Sequence, residues 1–252
     1  MSTVLVTGAT GTLGTPTALK LRQAGHDVRA LSRKTGLGLT TGDLLTRRGI
    51  PEAMSGVDIV VHLATGSHDV AQAVAAIDSA REATVAHFIL ISIVGIENIP
   101  LGYYQGKVEI EGYLVESGLP HTIQRATQFH QFVDGIFRAQ KFSPIILAPR
   151  FSFQPISTDD VASRLVELVG AKHSGRVGDI GGPEQRAARD LAETWKSASG
   201  SRRPIASIHR PGKTAAGFSA GHNLVSGAPY GVKTFNQFLD ENYAIRPPAI
   251  PQ

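Results

Sequence analysis

The sequence predicts an α/β fold of the Rossmann type, a doubly wound parallel sheet with a small C-terminal cap region. Short β-branched runs alternate with longer helical patterns through the first half of the 252-residue chain, which is typical of βαβ units. The first of these runs leads directly into a glycine-rich loop and then a helix. Residues 57–63 and 87–91 are nearly continuous apolar runs, as expected of strands buried on both faces of a sheet.

The elements of the first half are predicted in order. A strand at residues 4–7 precedes a helix that begins near Leu13 and ends at Gly25. Strand patterns then recur at 28–31, weakly at 37–41, and at 57–63, 87–91 and 122–125. Helical patterns cover 70–83, which is rich in alanine, and 103–117.

The pattern changes in the second half. Six of the ten phenylalanines fall within a short proline-containing stretch, at positions 129, 132, 137, 142, 151 and 153. A helix at 159–169, a strand at 177–180 and a helix at 187–199 are predicted after it. We expect a single domain over residues 1–252, with cap elements at about 129–155 and 187–252.

Composition excludes several classes of protein. Hydrophobic residues make up 42% of the chain and charged residues 18%, which is enough apolar material for a folded core and excludes a mainly disordered chain. The net charge is +4 and its basic pairs are scattered, so we expect neither a nucleic-acid partner nor a membrane partner. The chain has no cysteine, which excludes disulfides, thiolate zinc sites and cysteine nucleophiles.

Location and metal binding follow from similar observations. The longest apolar run, at 88–96, is too short to span a bilayer, and the first residues lead directly into a strand without a basic region. We therefore expect a cytoplasmic protein without a signal peptide. The nine histidines do not cluster, so no metal site is expected, and His62 is interpreted as a core residue.

The loop after the first strand carries glycines at a spacing of three and three, at Gly8, Gly11 and Gly14. Such a loop turns sharply and lets a pyrophosphate approach the backbone, while the helix N-terminus offers free N–H groups to the anion. The candidate contacts also include the intervening residues Thr10, Thr12 and Leu13. The alternative is a glycine-rich turn that binds no ligand.

Together with this loop, four further segments resemble the atypical short-chain dehydrogenase/reductases, and most of all their NmrA-like NAD(P)-binding group. These segments begin at Val28, Thr41, Val60 and Gln124. The resemblance extends from residue 1 to about residue 182. It implies a Rossmann core, a nicotinamide dinucleotide, and either a reductase or a non-catalytic redox-sensing protein.

The end of the second strand indicates which dinucleotide is preferred. An NAD-type site has an acidic residue there for the ribose hydroxyls, whereas an NADP-type site has cations for the 2′-phosphate. Here Ser32 occupies that position and is followed by Arg33 and Lys34. We therefore expect NADP(H), the alternative being an ordinary solvated basic loop.

The resemblance assigns further residues to the cofactor and the substrate. Asp43 and Leu44 would flank the adenine, although Asp43 is also a typical turn-forming residue. Ala64, Thr65 and Gly66 would run along the cofactor. The stretch comprising Gln128, Phe129 and His130 would border the nicotinamide and contact the substrate.

Tyr103 and Lys107 lie four residues apart and are expected on one face of a helix. In short-chain dehydrogenases such a pair performs general acid catalysis: the ammonium stabilises the phenolate and holds the nicotinamide ribose, and the phenol protonates the carbonyl oxygen. Ser92 lies where that family has its carbonyl-binding serine. Two alternatives remain open, namely that Tyr103 only packs at the helix start and that the neighbouring Tyr104 is the donor.

Two functions follow as hypotheses. The first is an NADPH-dependent oxidoreductase that transfers hydride to an apolar carbonyl, quinone or conjugated acceptor, because the clustered phenylalanines favour an apolar or aromatic small-molecule substrate. About half of those phenylalanines could equally form the core of the cap. The second is a non-catalytic NADP(H)-sensing regulatory protein. The short, phenylalanine-rich C-terminal part argues against a nucleotide-sugar epimerase, and the oligomeric state is left open.

Overall fold

The computed structural model describes residues 1–172 and 174–243, and the chain divides into two compact units. Unit 1 comprises Met1–Glu97, Leu101–Ala126 and Val161–Asp179. Unit 2 comprises Asn98–Pro100, Thr127–Asp160 and the described residues from Ile180 to Tyr243.

The helices and strands alternate along most of the chain. In order they are β1 (Thr3–Thr7), α1 (Gly14–Gln23), β2 (Asp27–Ser32), β3 (Leu39–Thr41), α2 (Ile50–Met54), β4 (Ile59–His62), α3 (Asp69–Glu82), β5 (His87–Ile93), α4 (Gly102–Glu116), β6 (His121–Ala126), α5 (His130–Arg138), β7 (Ile146–Pro149), β8 (Ser152–Phe153), α6 (Thr158–Gly170), β9 (Gly175–Arg176), β10 (Arg186–Ala187), α7 (Ala188–Ala198), β11 (Ile205–Ile208), α8 (Lys213–Ser219) and α9 (Phe235–Tyr243).

Unit 1 contains a seven-stranded parallel sheet in the order β3-β2-β1-β4-β5-β6-β9. Its central strands are apolar on both faces, and Leu5, Val60 and Phe88 are completely buried. Helices α2, α3 and α4 contribute to the same core, through residues such as Ile77 and Leu114. The predicted Rossmann-type α/β fold is confirmed by this strand order.

The strand order reverses between β1 and β4, which pair in register with Thr7 opposite His62. In a doubly wound sheet this reversal opens a crevice beyond the carboxyl ends of the strands, and ligands bind there. Gly8 directly follows β1 at this point, and Leu63 directly follows β4. The sheet therefore places the glycine loop where a dinucleotide site is expected.

Unit 2 is built around an aromatic core. Phe137, Phe153 and Trp195 are buried there together with Phe235 and Phe238 of α9. Two small sheets complete the unit, an antiparallel one of β8 and β10 and a parallel one of β7 and β11.

Most predicted elements of the first half lie within one or two residues of the observed ones. The strand predicted at 177–180 is wrong, because the sheet is extended by Gly175–Arg176 instead, which pairs with β6 through only two residues. Several elements of unit 2, including α5, β7, β11 and α9, were not predicted. Among the described residues, no helix combines the length and the apolar character needed to cross a membrane.

Candidate functional site

Two glycines of the loop allow close packing at the end of β1. Gly8 has a left-handed backbone with φ of 62°, and a Cβ there would lie 2.8 Å from the Ala64 backbone. A Cβ on Gly14 would lie 2.1 Å from the Gly8 carbonyl oxygen. A side chain at either position would therefore separate backbone segments that are in contact.

Gly11 differs from these two because it is exposed, as are Thr10 and Thr12 beside it. A Cβ on Gly11 would approach only the Gly8 carbonyl oxygen, at 3.1 Å. Within the described chain, the backbone N–H groups of Thr12 and Leu13 have no acceptor. Open space and free N–H groups at the start of α1 fit a pyrophosphate.

The last residue of β2 is Ser32, which is buried and accepts a hydrogen bond from the Lys34 backbone N–H at 3.1 Å. Arg33 and Lys34 have exposed side chains. Neither of them forms an ion pair with any residue that the structure describes. Two unpaired cations at this position fit the 2′-phosphate of an NADP-type dinucleotide.

Asp43 and Leu44 follow β3. The Asp43 carboxylate accepts a hydrogen bond from the Leu45 backbone N–H at 3.0 Å, which is an Asx turn and agrees with the turn-forming alternative. Leu44 is buried in the core of unit 1. Their predicted contact with the adenine stays a prediction.

The carboxyl ends of β1 and β4 are joined by Thr7, which the sequence analysis did not single out. Its hydroxyl oxygen accepts hydrogen bonds from the backbone N–H groups of Leu63, at 3.0 Å, and Ala64, at 3.1 Å. The hydroxyl proton is then directed to Nδ1 of His62, 3.0 Å away, so the proton of a neutral imidazole lies on Nε2. Burial, with a smaller contribution from the charge of Lys107, lowers the pKa of His62 to about 3.

The segment Ala64–Thr65–Gly66 leaves β4 at the surface, with Ala64 half-buried and the other two residues exposed. Thr65 contacts Tyr103 of α4, with 2.9 Å between the two hydroxyl oxygens. The loop after β4 therefore meets the first turn of α4 at this hydroxyl pair.

Tyr103 and Tyr104 have different surroundings although they are adjacent. The Tyr103 side chain is 45% exposed and Tyr104 is 6% exposed. Burial, with a smaller contribution from Tyr103, raises the pKa of Tyr104 to about 12. Tyr103 is therefore the tyrosine whose phenol is accessible to a substrate, which supports it over Tyr104 as the donor.

Lys107 is buried on the same helix, and its Nζ lies 5.6 Å from the centre of the Tyr103 ring. The ammonium also forms an ion pair with Asp69, the first residue of α3, with 2.8 Å between Nζ and Oδ2. The structure thus brings Tyr103 and Lys107 together as predicted. Asp69 was missed, because an acidic residue at a helix start looks like an ordinary partner of the helix dipole.

Ser92 lies near the carboxyl end of β5 and is 3% exposed. Its hydroxyl has no hydrogen-bond partner among the described residues. A buried hydroxyl without a partner is costly, and such groups in native structures usually have a ligand or a functional reason. Its predicted contact with a substrate carbonyl stays a prediction.

The three predicted substrate residues belong to unit 2. The Gln128 side chain is buried and bonded to Asn223 and to the Gln154 backbone, so its polar atoms serve the internal structure of that unit. Phe129 is half-buried and immediately precedes α5.

His130 is completely buried, and its Nε2 donates to the Pro155 carbonyl oxygen at 3.1 Å. Its ring packs against Phe235 and Phe238. Burial is the main reason that the pKa of His130 falls to about 4, so it is a neutral core residue at physiological pH. Its surroundings favour a structural role over the predicted contact with substrate.

The clustered phenylalanines do not form one surface. Phe137 and Phe153 are buried in the core of unit 2, and Phe151 packs against that core. Phe132 and Phe142 are exposed. Phe137, Phe151 and Phe153 therefore agree with the alternative interpretation, in which part of the cluster forms the core of this unit.

The family profile described as NAD(P)H-binding matches residues 8–172, and the chain belongs to that family. This membership confirms the resemblance stated from the sequence motifs. The profile includes the glycine loop, the end of β2 and all of α4.

The relatives include photosystem II assembly factors and reductases. The chain is 32% identical to the photosystem II assembly factor Ycf39 of Trieres chinensis over 149 residues, which cover 51% of this chain and 46% of that protein. Identity to Ycf39 of Cyanophora paradoxa is 27%, over 96% of this chain and 86% of the relative. Identity to the NAD(P)H azoreductase of Xenophilus azovorans is also 27%, over 80% of this chain and 75% of that enzyme.

Among solved structures, the NADPH-dependent quinone oxidoreductase QOR2 of Escherichia coli, crystallised with NADPH, superimposes with a TM-score of 0.79. The alignment covers 95% of this chain and 99% of that structure, at 18% sequence identity. At this identity the likeness shows the fold alone.

Proposed function

We propose that this member of the NAD(P)H-binding family is an NADPH-dependent oxidoreductase that transfers hydride to an apolar carbonyl, quinone or conjugated acceptor. The observation that carries the proposal is the pairing on α4 of an exposed phenol, Tyr103, with a buried ammonium, Lys107. Reductases among the relatives support the same reaction class.

The preference for NADPH over NADH is part of the proposal. The cationic side chains of Arg33 and Lys34 at the end of β2 have no ion-pair partner within the described chain, and Ser32 replaces the acidic residue of an NAD-type site. The free N–H groups beside Gly11 would hold the pyrophosphate. When bound, NADPH supplies the hydride.

The residues of the chain supply the proton and the orientation. Tyr103 donates its phenol proton to the oxygen of the acceptor, and the Lys107 ammonium stabilises the phenolate that remains. The Ser92 hydroxyl, which has no other partner among the described residues, donates a hydrogen bond to the same oxygen. Thr65 is exposed and bonded to the phenol, so the phenolate regains a proton from water through that hydroxyl.

A steady-state assay of NADPH oxidation with a panel of quinones, ketones and enones tests the reaction. We expect Tyr103→Phe to lower kcat by about 10²–10⁴-fold, the usual contribution of a general acid, with little change in NADPH affinity. Tyr104→Phe is the matched control, because that phenol is buried. Equal losses in both variants would contradict the assignment of the donor. A quinone reductase that tolerates Tyr103→Phe would retain the reaction class and overturn the proton donor.

A second function is supported by the two Ycf39 relatives, which are described as photosystem II assembly factors. Under this alternative the chain binds NADP(H) and reports its presence to a protein partner without turnover. A parent protein that binds NADPH and never oxidises it across the whole panel would favour this function over the oxidoreductase.

A further inference from the structure

Both side chains of the ion pair between Asp69 and Lys107 are buried, as are the residues of the pair between Arg125 and Glu111. The exposed fractions of the Asp69 and Lys107 side chains are 8% and 6%, and Oδ2 lies 2.8 Å from Nζ. An acidic residue in the first turn of a helix is normally solvated and adds only a modest interaction with the helix dipole. Burial of a carboxylate requires a compensating charge, and Lys107 supplies it.

The backbone of the two helices makes this contact achievable. Gly106 and Val70 are the immediate neighbours of Lys107 and Asp69, and a Cβ on Gly106 would lie only 3.3 Å from the Val70 side chain. The absence of a side chain at Gly106 lets α4 approach the first turn of α3. Gly106 therefore lies against Val70, and Lys107 against Asp69, where α3 and α4 cross.

The charged and titratable groups around Lys107 come from three elements. Asp69 faces it from α3, and Tyr103 lies beside it on α4 with its ring centre 5.6 Å from Nζ. The charge of Lys107 also contributes to the lowered pKa of His62 on β4, whose imidazole is neutral. One turn further along α4, the Glu111 carboxylate accepts a hydrogen bond from Arg125, which compensates its negative charge. The Asp69 carboxylate is thus the counter-charge in contact with the ammonium.

We propose that Asp69 is a positioning residue that keeps the Lys107 ammonium charged and fixed beside Tyr103. The inference rests on the proposed function, because it assigns Lys107 to the stabilisation of the phenolate. Without the carboxylate, the buried ammonium loses its counter-charge and gives up its proton at a lower pH. A neutral amine stabilises neither the phenolate nor a bound anion.

The direct test follows the titration of Lys107 by NMR in protein labelled with ¹³C-lysine, its signal being assigned by its loss in Lys107→Met. In Asp69→Asn we expect the midpoint to fall by about one to three pH units relative to the parent. The base-side limb of the pH profile of kcat/KM should move in the same direction, and Asp69→Glu should restore part of both shifts. Asp78→Asn is the matched control, since Asp78 lies on the same helix and bonds to Tyr113 and Arg81 instead.

An unchanged Lys107 midpoint in Asp69→Asn would overturn the proposal, and so would an equal shift in Asp78→Asn. A thermodynamic cycle keeps the test decisive if Asp69→Asn is poorly folded. Asp69→Asn and Lys107→Met should each lower the unfolding temperature by about 5–15 °C, and the double variant should lose clearly less than the sum of the two. Strictly additive losses would show that the two residues do not act as a pair.

Failure of the proposed function would give a different result. The titration and the cycle need neither cofactor nor turnover, so they report on the pair alone. If the parent protein does not oxidise NADPH, the proposed reductase function is wrong. The titration midpoints of Lys107 in the parent and in Asp69→Asn still decide whether Asp69 acts on the ammonium.

Discussion

Lys107 and Arg125 are both buried cations that contact acidic residues near α4, and they use their N–H groups differently. Arg125 lies on β6 and makes four hydrogen bonds, two to Glu111 of α4 and two to Glu97 in the segment between β5 and α4. Lys107 has one ion-pair partner among the described residues, Asp69. Both side chains are nearly inaccessible, with exposed fractions of 4% for Arg125 and 6% for Lys107.

The difference separates a structural role from a functional one. The planar guanidinium is satisfied by two carboxylates in bidentate geometry, which fixes the distance between β6 and α4. The ammonium is in ion-pair contact with Asp69 and forms no hydrogen bond with any residue that the structure describes, and it lies beside an exposed phenol. A cation that donates four of its five N–H groups to carboxylates of the fold stabilises the fold, whereas one with more donors to spare is placed to bind a ligand.

The largest effect on stability is expected from Arg125→Met. Removal of the guanidinium leaves Glu111 buried without its partner, and breaking a buried ion pair costs about 3–5 kcal/mol. Urea unfolding measures the loss. Arg81→Met is the control, because the exposed side chain of Arg81 pairs with the half-buried Asp78 on one helix. Similar free energies of unfolding for both variants would break the contrast between the two kinds of cation.

Arg33→Ala extends the comparison to a cation that is exposed and unpaired within the described chain. We expect NADPH affinity to fall by about 1.5–3 kcal/mol, the contribution of one charge-assisted hydrogen bond, while NADH affinity and stability hardly change. Calorimetric titration of both dinucleotides measures the difference, with Arg81→Ala as the control. Equal affinities for NADPH and NADH in the parent would contradict the role given to this side chain.

A smaller effect is expected from acid. The titratable residues beside the two cations, His62 near Lys107 and Glu97 beside Arg125, lose their contributions to stability at different pH. The pKa of His62 is lowered from 6.5 to about 3 in the folded protein, so below pH 6.5 the unfolded chain binds a proton that the folded chain does not. Stability contributed by the neutral ring is complete above pH 6.5 and falls by about 1.4 kcal/mol per pH unit down to pH 3.

The hydrogen bond to Arg125 lowers the pKa of Glu97 below its ordinary 4.5, so its contribution is lost only in more acidic solution, as the pH falls through that lowered value. Between pH 7 and pH 5, the free energy of unfolding should therefore depend less on pH in His62→Gln than in the parent. Glu97→Gln should show the same dependence on pH as the parent. The opposite pattern would show that the histidine does not govern this window.

The sequence predicted what depends on local pattern. The glycine loop, the cations after β2 and the pairing of Tyr103 with Lys107 each lie within one turn or one helix, so residue spacing was sufficient to find them. Contacts across the fold were not predictable in this way. Thr7 and His62 are 55 residues apart, and Asp69 reaches Lys107 only because α3 and α4 approach closely at Gly106.

Unit 2 was predicted less well for a related reason. Helix α5 has a helical pattern of buried residues at His130, Val133 and Phe137, but it lies in a phenylalanine-rich stretch that is interpreted above as a substrate surface or, for about half of its phenylalanines, as the core of the cap. The parallel pairing of β7 with β11 joins segments that are distant in sequence. Long-range pairing of short strands is determined by tertiary packing, which a single sequence does not display.

The contrast between the two cations is tested most directly by calorimetric titration of NADPH into Lys107→Met and Arg125→Met at a temperature where both are folded. Lys107→Met should bind NADPH about 10- to 150-fold more weakly than the parent, and Arg125→Met should keep a dissociation constant close to that of the parent despite its lower stability. Parental affinity in Lys107→Met, or a comparable loss in Arg125→Met, would contradict the functional role of Lys107.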